Sequence, residues 1–374
     1  MIIAAMNEGT IETRVAITPV AVKHYLELGF EVSCEHNAGK AAGFSDEDYQ
    51  HAGASIIKDS KVLLQKTNVL LCVNEPAPDE LKGLQPETML VSHIDADPGS
   101  DLILWCLKHR ITVFSMNNIP RISRAQSMDS LSSQANLAGY RAVLAGVNHF
   151  NRVIPMMMTA AGMIQPAKIL ILGAGVAGLQ AIATAKRLGA VVYAFDVRTA
   201  AKEQVESLGA QFIAVSEGQD AETASGYAKE VTDEYRQLQA QLIDKYAQLA
   251  DIVICTALIP GKKAPVLVKA ATVDKMKPGS VIVDLATARG GNCELSEPEQ
   301  LIKHQQITLI GYSNMARLVP TTASELYANN LVHLLRLFTI TPTKISFNEE
   351  DEIIRQSLLC HDGQYMPLHL VKEK

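Results

Sequence analysis

Residues 168–196 read KILILGAGVAGLQAIATAKRLGAVVYAFD. An apolar run, KILIL, meets a glycine-rich turn. A helical pattern follows, and then a second apolar run that ends on Asp196. Gly173, Gly175 and Gly178 fit GxGxxG, a spacing that is weak evidence alone because glycines are common in tight turns. Here it follows a strand and opens a helix, the context its mechanism requires. Gly173 permits the turn, and Gly175 lets backbone N–H groups approach a pyrophosphate at the helix N-terminus. Gly178 lets helix and strand pack closely. Val176 and Ala177 lie inside the same turn and are counted with the site.

Asp196 falls at the expected distance, about twenty residues after the glycines, to accept hydrogen bonds from the adenosine ribose hydroxyls. Its charge repels a 2′-phosphate, so NAD is preferred over NADP. Arg198, just beyond Val197, is the contrary signal, since a guanidinium pairs with that phosphate. The aspartate prevails, because a charge at the ribose outweighs one able to swing outward. The stretch is a dinucleotide site.

Outward from this turn the chain alternates strand-like and helix-like segments. Before it come MIIAAM, FEVSCEH, VLLCVN, TMLVSHI and ITVFSMN, with helical TPVAVKHYLELG and PGSDLILWCLKHR between them. After it come ADIVICTA, SVIVDLA and ITLIGY. This βαβ rhythm implies parallel sheets. A long helix from Asn136 reads as the connector between two domains, and an amphipathic helix after ITLIGY returns to the first. The boundaries expected are 1–130 plus 315–374 for one domain and 131–314 for the other. Met156–Met158 read as connector or core packing. The Asp362-Gly363 pair between strand-like runs reads as a hairpin. The polar stretch near 217–232 has no apolar period, and a run of that kind inside a compact domain is disordered or a functional flap.

Composition narrows the class. The 374 residues carry a formal net charge of −6, are 48% hydrophobic and have no like-charge block. That argues against electrostatically driven binding of nucleic acid. Six scattered cysteines suggest a reducing cytoplasm, and neither they nor the ten histidines form a metal-binding cluster. The longest apolar stretch is short for a membrane span and is broken by glycines, so the chain reads as soluble.

A second segment, RISRAQSMDSLSSQ at residues 121–134, concentrates polar groups around a loop-to-helix junction. A solvated loop is the plain reading. Together with ETRVAITP, GAGVAGLQA, GYAKE, TALIPGKKAP, PGSVIVDLA and GGNCE, however, this segment resembles the alanine dehydrogenase and proton-translocating transhydrogenase superfamily along nearly the whole chain. PRISRAQSMDSLSSQANLAGYRAV looks specifically like the NAD(H)-binding subunit of bacterial transhydrogenase, in its separately encoded form.

The resemblance implies an α/β chain with two Rossmann-like domains around a cleft, joined by long helices, and a homodimer. It implies an NAD(P)+ transhydrogenase of the Si-specific/Re-specific, proton-translocating type, active with partner subunits that bind NADP(H) and span the membrane. The chain would then be cytoplasmic and peripheral at the inner membrane. It assigns a nicotinamide clamp to Arg121, Gln126, Asp129 and Ser132, and adds Arg124 in the same loop. Asp129 would accept from the carboxamide, Arg121 and Ser132 would donate to it, and Gln126 would face the ribose and the partner. It implies that the loop near 217–232 closes over NAD(H) with Gly226 and Tyr227 at its tip. Gln239 and Leu258 are further contacts, Leu258 beside the adenine.

Two chemistries remain open within that superfamily. Amino-acid oxidation needs a general acid/base and cations for the substrate carboxylate. Alanine dehydrogenases are expected to carry a lysine where this chain has Asn74, and an aspartate where it has Ala288. Arg14 and His93 survive and read as inherited structural groups. Transfer between two nicotinamides needs only that both rings be held in approach, roughly 3–3.5 Å apart at reaction. Absent acid/base groups suit that case. The alternatives are a stand-alone amino-acid dehydrogenase, with Lys82 or Arg289 as replacements, and a non-catalytic NAD sensor.

Overall fold

Segments that are apolar on both faces can only be parallel strands covered on each side, because helical crossovers lie over both faces of a parallel sheet. Val69–Leu71 and Ile252–Cys255 are such segments, and every residue in them is fully buried. In a computed structural model the described residues are 1–215, 233–259, 262–341 and 344–366. The chain divides into two compact units, Met1–Gln134 with Val319–Lys374, and Ala135–Leu318.

The first unit is built on an eight-stranded sheet. From one edge its strands are Ser55–Ile57, Glu31–Glu35, Ile2–Ala5, Val69–Leu71, Met89–Ser92, Thr112–Ser115, Leu358–His361 and Gln364–Tyr365. The first six named are parallel, and strand order reverses between Ile2–Ala5 and Val69–Leu71. The last two form the expected Asp362-Gly363 hairpin, with both turn residues at positive φ (47° and 76°), as a tight primed turn requires. EIIRQS before it is helical rather than extended, with Asp351 capping Glu352–Ser357 through the Ile353 N–H.

The second unit holds a seven-stranded sheet in the order Gln211–Ile213, Val191–Phe195, Lys168–Leu172, Ile252–Cys255, Val281–Asp284, Ile307–Ile310, Leu301–His304. Only the last pair is antiparallel. The order reverses between Lys168–Leu172 and Ile252–Cys255, so the crevice beyond their C-terminal ends is where a doubly wound sheet takes its ligand. Both sheets are thus Rossmann-like, as the alternating pattern predicts.

Two local expectations change. The long helix runs Ser130–His149, starting before Asn136, because Asp129 supplies the cap described below. The methionine run is not core. Met157–Thr159 pairs with Gly162–Ile164 in a separate two-stranded ribbon, and Met156, Met158 and Met163 are 61%, 81% and 54% exposed. A lone two-stranded ribbon packs neither of its faces. Among the described residues no helix is long and apolar enough to cross a membrane.

The long helix approaches the glycine-turn helix Val176–Arg187 at Gly139, where a Cβ would stand 2.0 Å from the Ala177 carbonyl oxygen. At Gly146 a Cβ would instead meet only side chains, the nearest that of Ile252 at 2.9 Å. Gly139→Ala is therefore expected to destabilise by about 2 kcal/mol, since backbone must move. Gly146→Ala should lie near zero, because helix propensity returns about 1 kcal/mol. Urea midpoints measure both, and equal shifts would refute the backbone contact.

Candidate functional site

In the second unit the glycine turn sits at the strand-order reversal. Gly173 has φ +102°, and a Cβ there would meet Thr256 Oγ1 at 2.8 Å and the Ala257 nitrogen at 3.0 Å. Thr256 Oγ1 donates to the Gly173 carbonyl (2.9 Å), tying the turn to the neighbouring strand. At Gly178 a Cβ would stand 1.8 Å from the Gly173 oxygen. The protein itself requires both glycines. Gly175 differs, for its φ of −75° suits any residue and a Cβ there would meet nothing within 4 Å. It is also the N-cap of Val176–Arg187 and makes no side-chain cap bond. The first N–H groups of a helix have no intrahelical acceptor, and the dipole there favours negative charge. An open approach to an uncapped N-terminus fits a pyrophosphate.

Asp196 is nearly buried, its side chain 7% exposed. Its Oδ2 accepts from the Ala174 N–H at 2.7 Å, so the carboxylate braces the glycine turn. Arg198 does not swing outward as expected. Its Nε and Nη2 each reach the Asp196 carboxylate at 2.9 Å, a fork-on-carboxylate pair favoured by planar geometry. A ribose diol that binds Asp196 must displace that guanidinium or share the carboxylate with it.

Leu258 is exposed on the loop after Ile252–Cys255. That loop is braced by a residue sequence reasoning missed, the fully buried Asn292. Its Oδ1 accepts from the Ala257 N–H (3.0 Å) and its Nδ2 donates to the Ala257 and Pro265 carbonyls (2.9 and 2.8 Å). Asn292 is fixed in turn by Asp284, which accepts from the Ala286, Asn292 and Cys293 N–H groups. Burial raises the Asp284 pKa, and those N–H bonds oppose the rise. The only signal was the GGNCE segment, which carries the family resemblance but marks no role for its asparagine. Gln239 is buried on Asp233–Leu249. The flap near 217–232, with Gly226 and Tyr227, lies outside the described residues.

In the first unit Arg121, Arg124 and Gln126 are exposed around a 3-10 segment, Ser123–Met128. Asp129 accepts from the Ser132 N–H (2.9 Å) and hydroxyl (2.6 Å). This is helix capping, so the one-turn spacing of Asp129 and Ser132 has a structural cause of its own. Arg124 is bound by both oxygens of Asp351 at 2.8 and 2.9 Å, which pins the loop to the C-terminal segment. Asn330 adds two ties, donating to the Ser127 carbonyl and accepting from Ser133 Oγ, each at 2.8 Å.

A polar cluster fills the strand-order reversal of the same unit. Glu12 binds Arg14 Nε and Nη2 at 2.8 Å each and accepts from Asn74 Nδ2 at 2.7 Å. Arg14 Nη1 donates to Gln134 (2.8 Å). Three of the five N–H groups an arginine offers are thereby committed. Glu8 accepts from the Val73 and Asn74 N–H groups, yet burial raises its pKa to about 7. Burial, with Arg14 nearby, lowers the His93 pKa to about 4, so the ring is neutral at physiological pH. Ala288 is exposed on a separate turn of the second unit. Among the described residues no group of three or more His, Cys, Asp or Glu is placed to hold a metal ion.

Two doubly wound sheets, one bearing an uncapped glycine turn at its order reversal, define a dinucleotide-binding class of α/β protein. The chain belongs to the alanine dehydrogenase/PNT family, whose C-terminal domain matches residues 142–367 and whose N-terminal domain matches residues 6–138. The first portion of the NAD(P) transhydrogenase alpha subunit of Rhodospirillum rubrum, a chain in its own right, is 48% identical over 360 residues, 94% of each chain. The solved transhydrogenase from Sinorhizobium meliloti has a TM-score of 0.89 and 42% identity, covering 98% of this chain and 100% of that one. A solved L-alanine dehydrogenase has a TM-score of 0.81 and 25% identity, covering 98% and 96%.

Two outcomes follow from this geometry. Gly175→Ala should leave stability within about 0.5 kcal/mol of wild type, as the Cβ meets nothing. It should weaken NADH binding at least about tenfold, the cost of a methyl group in a phosphate cradle. Calorimetric titration beside a urea melt separates the two, and unchanged NADH affinity would sink the cradle assignment. The second outcome concerns His93, whose pKa falls on folding from 6.5 to about 4. Its contribution is whole above pH 6.5 and is lost as pH falls towards 4, by about 2 kcal/mol. His93→Gln should lack that part of the acid loss, and parallel stability–pH curves for the two proteins would contradict it.

Proposed function

We propose that this chain is the NAD(H)-binding component of a proton-translocating transhydrogenase, passing hydride between NAD(H) held here and NADP(H) on a partner domain. One observation carries the choice over amino-acid oxidation. The groups that chemistry needs are absent or engaged, with Asn74 where a lysine is expected and Arg14 tied to Glu12 and Gln134. The name carried by the Rhodospirillum rubrum relative favours the same choice.

Bound NAD(H) supplies or receives a hydride at its nicotinamide, with no proton to be shuttled. The residues of this chain bind and orient. The Gly175 turn and the Val176–Arg187 N-terminus hold the pyrophosphate, Val176 and Ala177 lining the turn, while Asp196 holds the ribose and selects against a 2′-phosphate. Val197 and Leu258 lie against the adenosine, with Gln239 a further contact, and Gly226 and Tyr227 close over it. Arg121, Asp129 and Ser132 grip the carboxamide, Gln126 faces the partner, and Arg124 sets the loop through Asp351. Exposed Met156, Met158 and Met163 support self-association into a homodimer, since apolar groups on a projecting ribbon gain from being covered. Membrane subunits then provide the pumping, with this chain peripheral on the cytoplasmic side of the inner membrane.

Rapid quenching tests the reading. The protein is mixed with deuterated NADH and an NADP-binding domain carrying NADP+, and label in NADPH is followed by mass spectrometry. Label should appear quickly, with Arg121→Ala slowing it by about 10²-fold through lost orientation. Asp129→Asn, which keeps a capping oxygen, should slow it about tenfold. No labelled NADPH, together with NADH oxidation on adding pyruvate and ammonium, would move the chain to amino-acid dehydrogenation.

A further inference from the structure

Behind the Asp129–Ser132 pair lie buried polar contacts that the proposed reaction does not use. Ser130, between the two, is fully buried, and its Oγ lies 2.8 Å from His93 Nε2. His93 Nδ1 lies 3.0 Å from the Val73 carbonyl, which can only accept. Nδ1 therefore carries the proton, Nε2 accepts, and the Ser130 hydroxyl donates to it. Direction is thus fixed along the whole chain of contacts, from Val73 through His93 to Ser130. The ring is steadied by Tyr327, whose centroid is 4.8 Å away and whose hydroxyl donates to the Cys72 carbonyl at 2.7 Å. One turn further along the helix, buried Gln134 accepts from Arg14 Nη1 (2.8 Å) and donates to the Ala323 carbonyl (3.0 Å).

We propose that His93 and Ser130, with Arg14 and Gln134 behind them, are positioning residues that fix the first turn of Ser130–His149 and so the orientation of the Asp129–Ser132 pair. Two buried ties one turn apart set both the direction and the rotation of a helix start, which a single tie cannot do. The Arg14 guanidinium is the strongest anchor available, because breaking a buried ion pair leaves a stranded charge. Groups that must hold geometry to fractions of an ångström need such support from behind. The inference rests on the clamp role given to Asp129 and Ser132 above.

The test uses the full chain with Ser130→Ala, His93→Phe and His93→Gln. Phenylalanine keeps the ring against Tyr327 without a nitrogen, whereas glutamine restores an acceptor where Nε2 stood. Amide hydrogen exchange at Ser132 and Ser133 reads the helix start without any partner. It should quicken about tenfold in Ser130→Ala and His93→Phe, and return towards wild type in His93→Gln. In the deuterium-transfer assay the first two should lose about 10²-fold in rate with NADH affinity changed less than about threefold, and the double variant should be no worse than either single one. Unchanged amide exchange, or equal exchange in the Phe and Gln variants, overturns the positioning role whatever the transfer result. Altered exchange in a protein whose wild type transfers no label upholds the positioning and overturns only the transhydrogenase reading.

Discussion

A Cβ at residue 178 would stand 1.8 Å from the carbonyl oxygen of Gly173, and much of the second unit follows from that absence. Only with helix and strand this close can Val176–Arg187 begin immediately beyond Lys168–Leu172 and aim its N-terminus into the crevice where strand order reverses. The same proximity brings the Ala174 N–H onto Asp196, so the residue that reads the ribose also fixes the turn that reads the phosphates. Thr256 closes the arrangement from the other side of the reversal, and Asn292 and Asp284 hold the loop behind Thr256. The polar groups around the turn have one low-energy arrangement, because each buried donor or acceptor depends on its neighbour.

The first unit has the same topology with a different filling. At its order reversal stand not glycines and an open helix end but Glu8, Glu12, Arg14, Asn74 and His93, bonded to one another and to backbone. Buried charges at such a place are tolerable only when paired, and Glu12 with Arg14 is that pair. Glu8 and His93 meet the same burial differently, since each is pushed towards its neutral form. Their pH dependences oppose one another. Glu8 stabilises most below pH 4.5 and less as pH rises through about 7, whereas His93 stabilises most above pH 6.5.

What could be read beforehand follows a physical division. Strands covered on both faces show as unbroken apolar runs, and the glycine turn shows as glycines because no other residue fits Gly173 and Gly178. Asp362-Gly363 shows because left-handed backbone restricts the residue type. Partnerships made across the fold leave no such mark. Nothing in the sequence ties Arg124 to Asp351, 227 positions away, or Asn292 to Ala257. Short helices such as Asp46–Ala52 and Ser60–Lys66 are set by capping side chains and escape a periodicity search. The methionine run misled because methionine is so often core, and only the lone ribbon explains its exposure. Asp129 and Ser132 were legible as a pair, but their spacing alone did not separate a ligand clamp from a helix cap.

That last ambiguity has a physical resolution, because the two roles are compatible. A capping carboxylate accepts from an N–H and a hydroxyl and still has lone pairs to offer, since each oxygen can take more than one donor. Its orientation is set by the helix it caps, so it reaches any ligand already aligned. A solvated loop residue would have to be ordered when the ligand binds, at a cost of side-chain and backbone entropy. The clamp reading therefore gains from the cap. If Asp129 binds a carboxamide, it does so from a position that folding has fixed, with the Arg14 and His93 contacts holding the helix from within. The polar density of residues 121–134 then has two origins in one segment: groups facing outward to bind, and groups facing inward to hold them still.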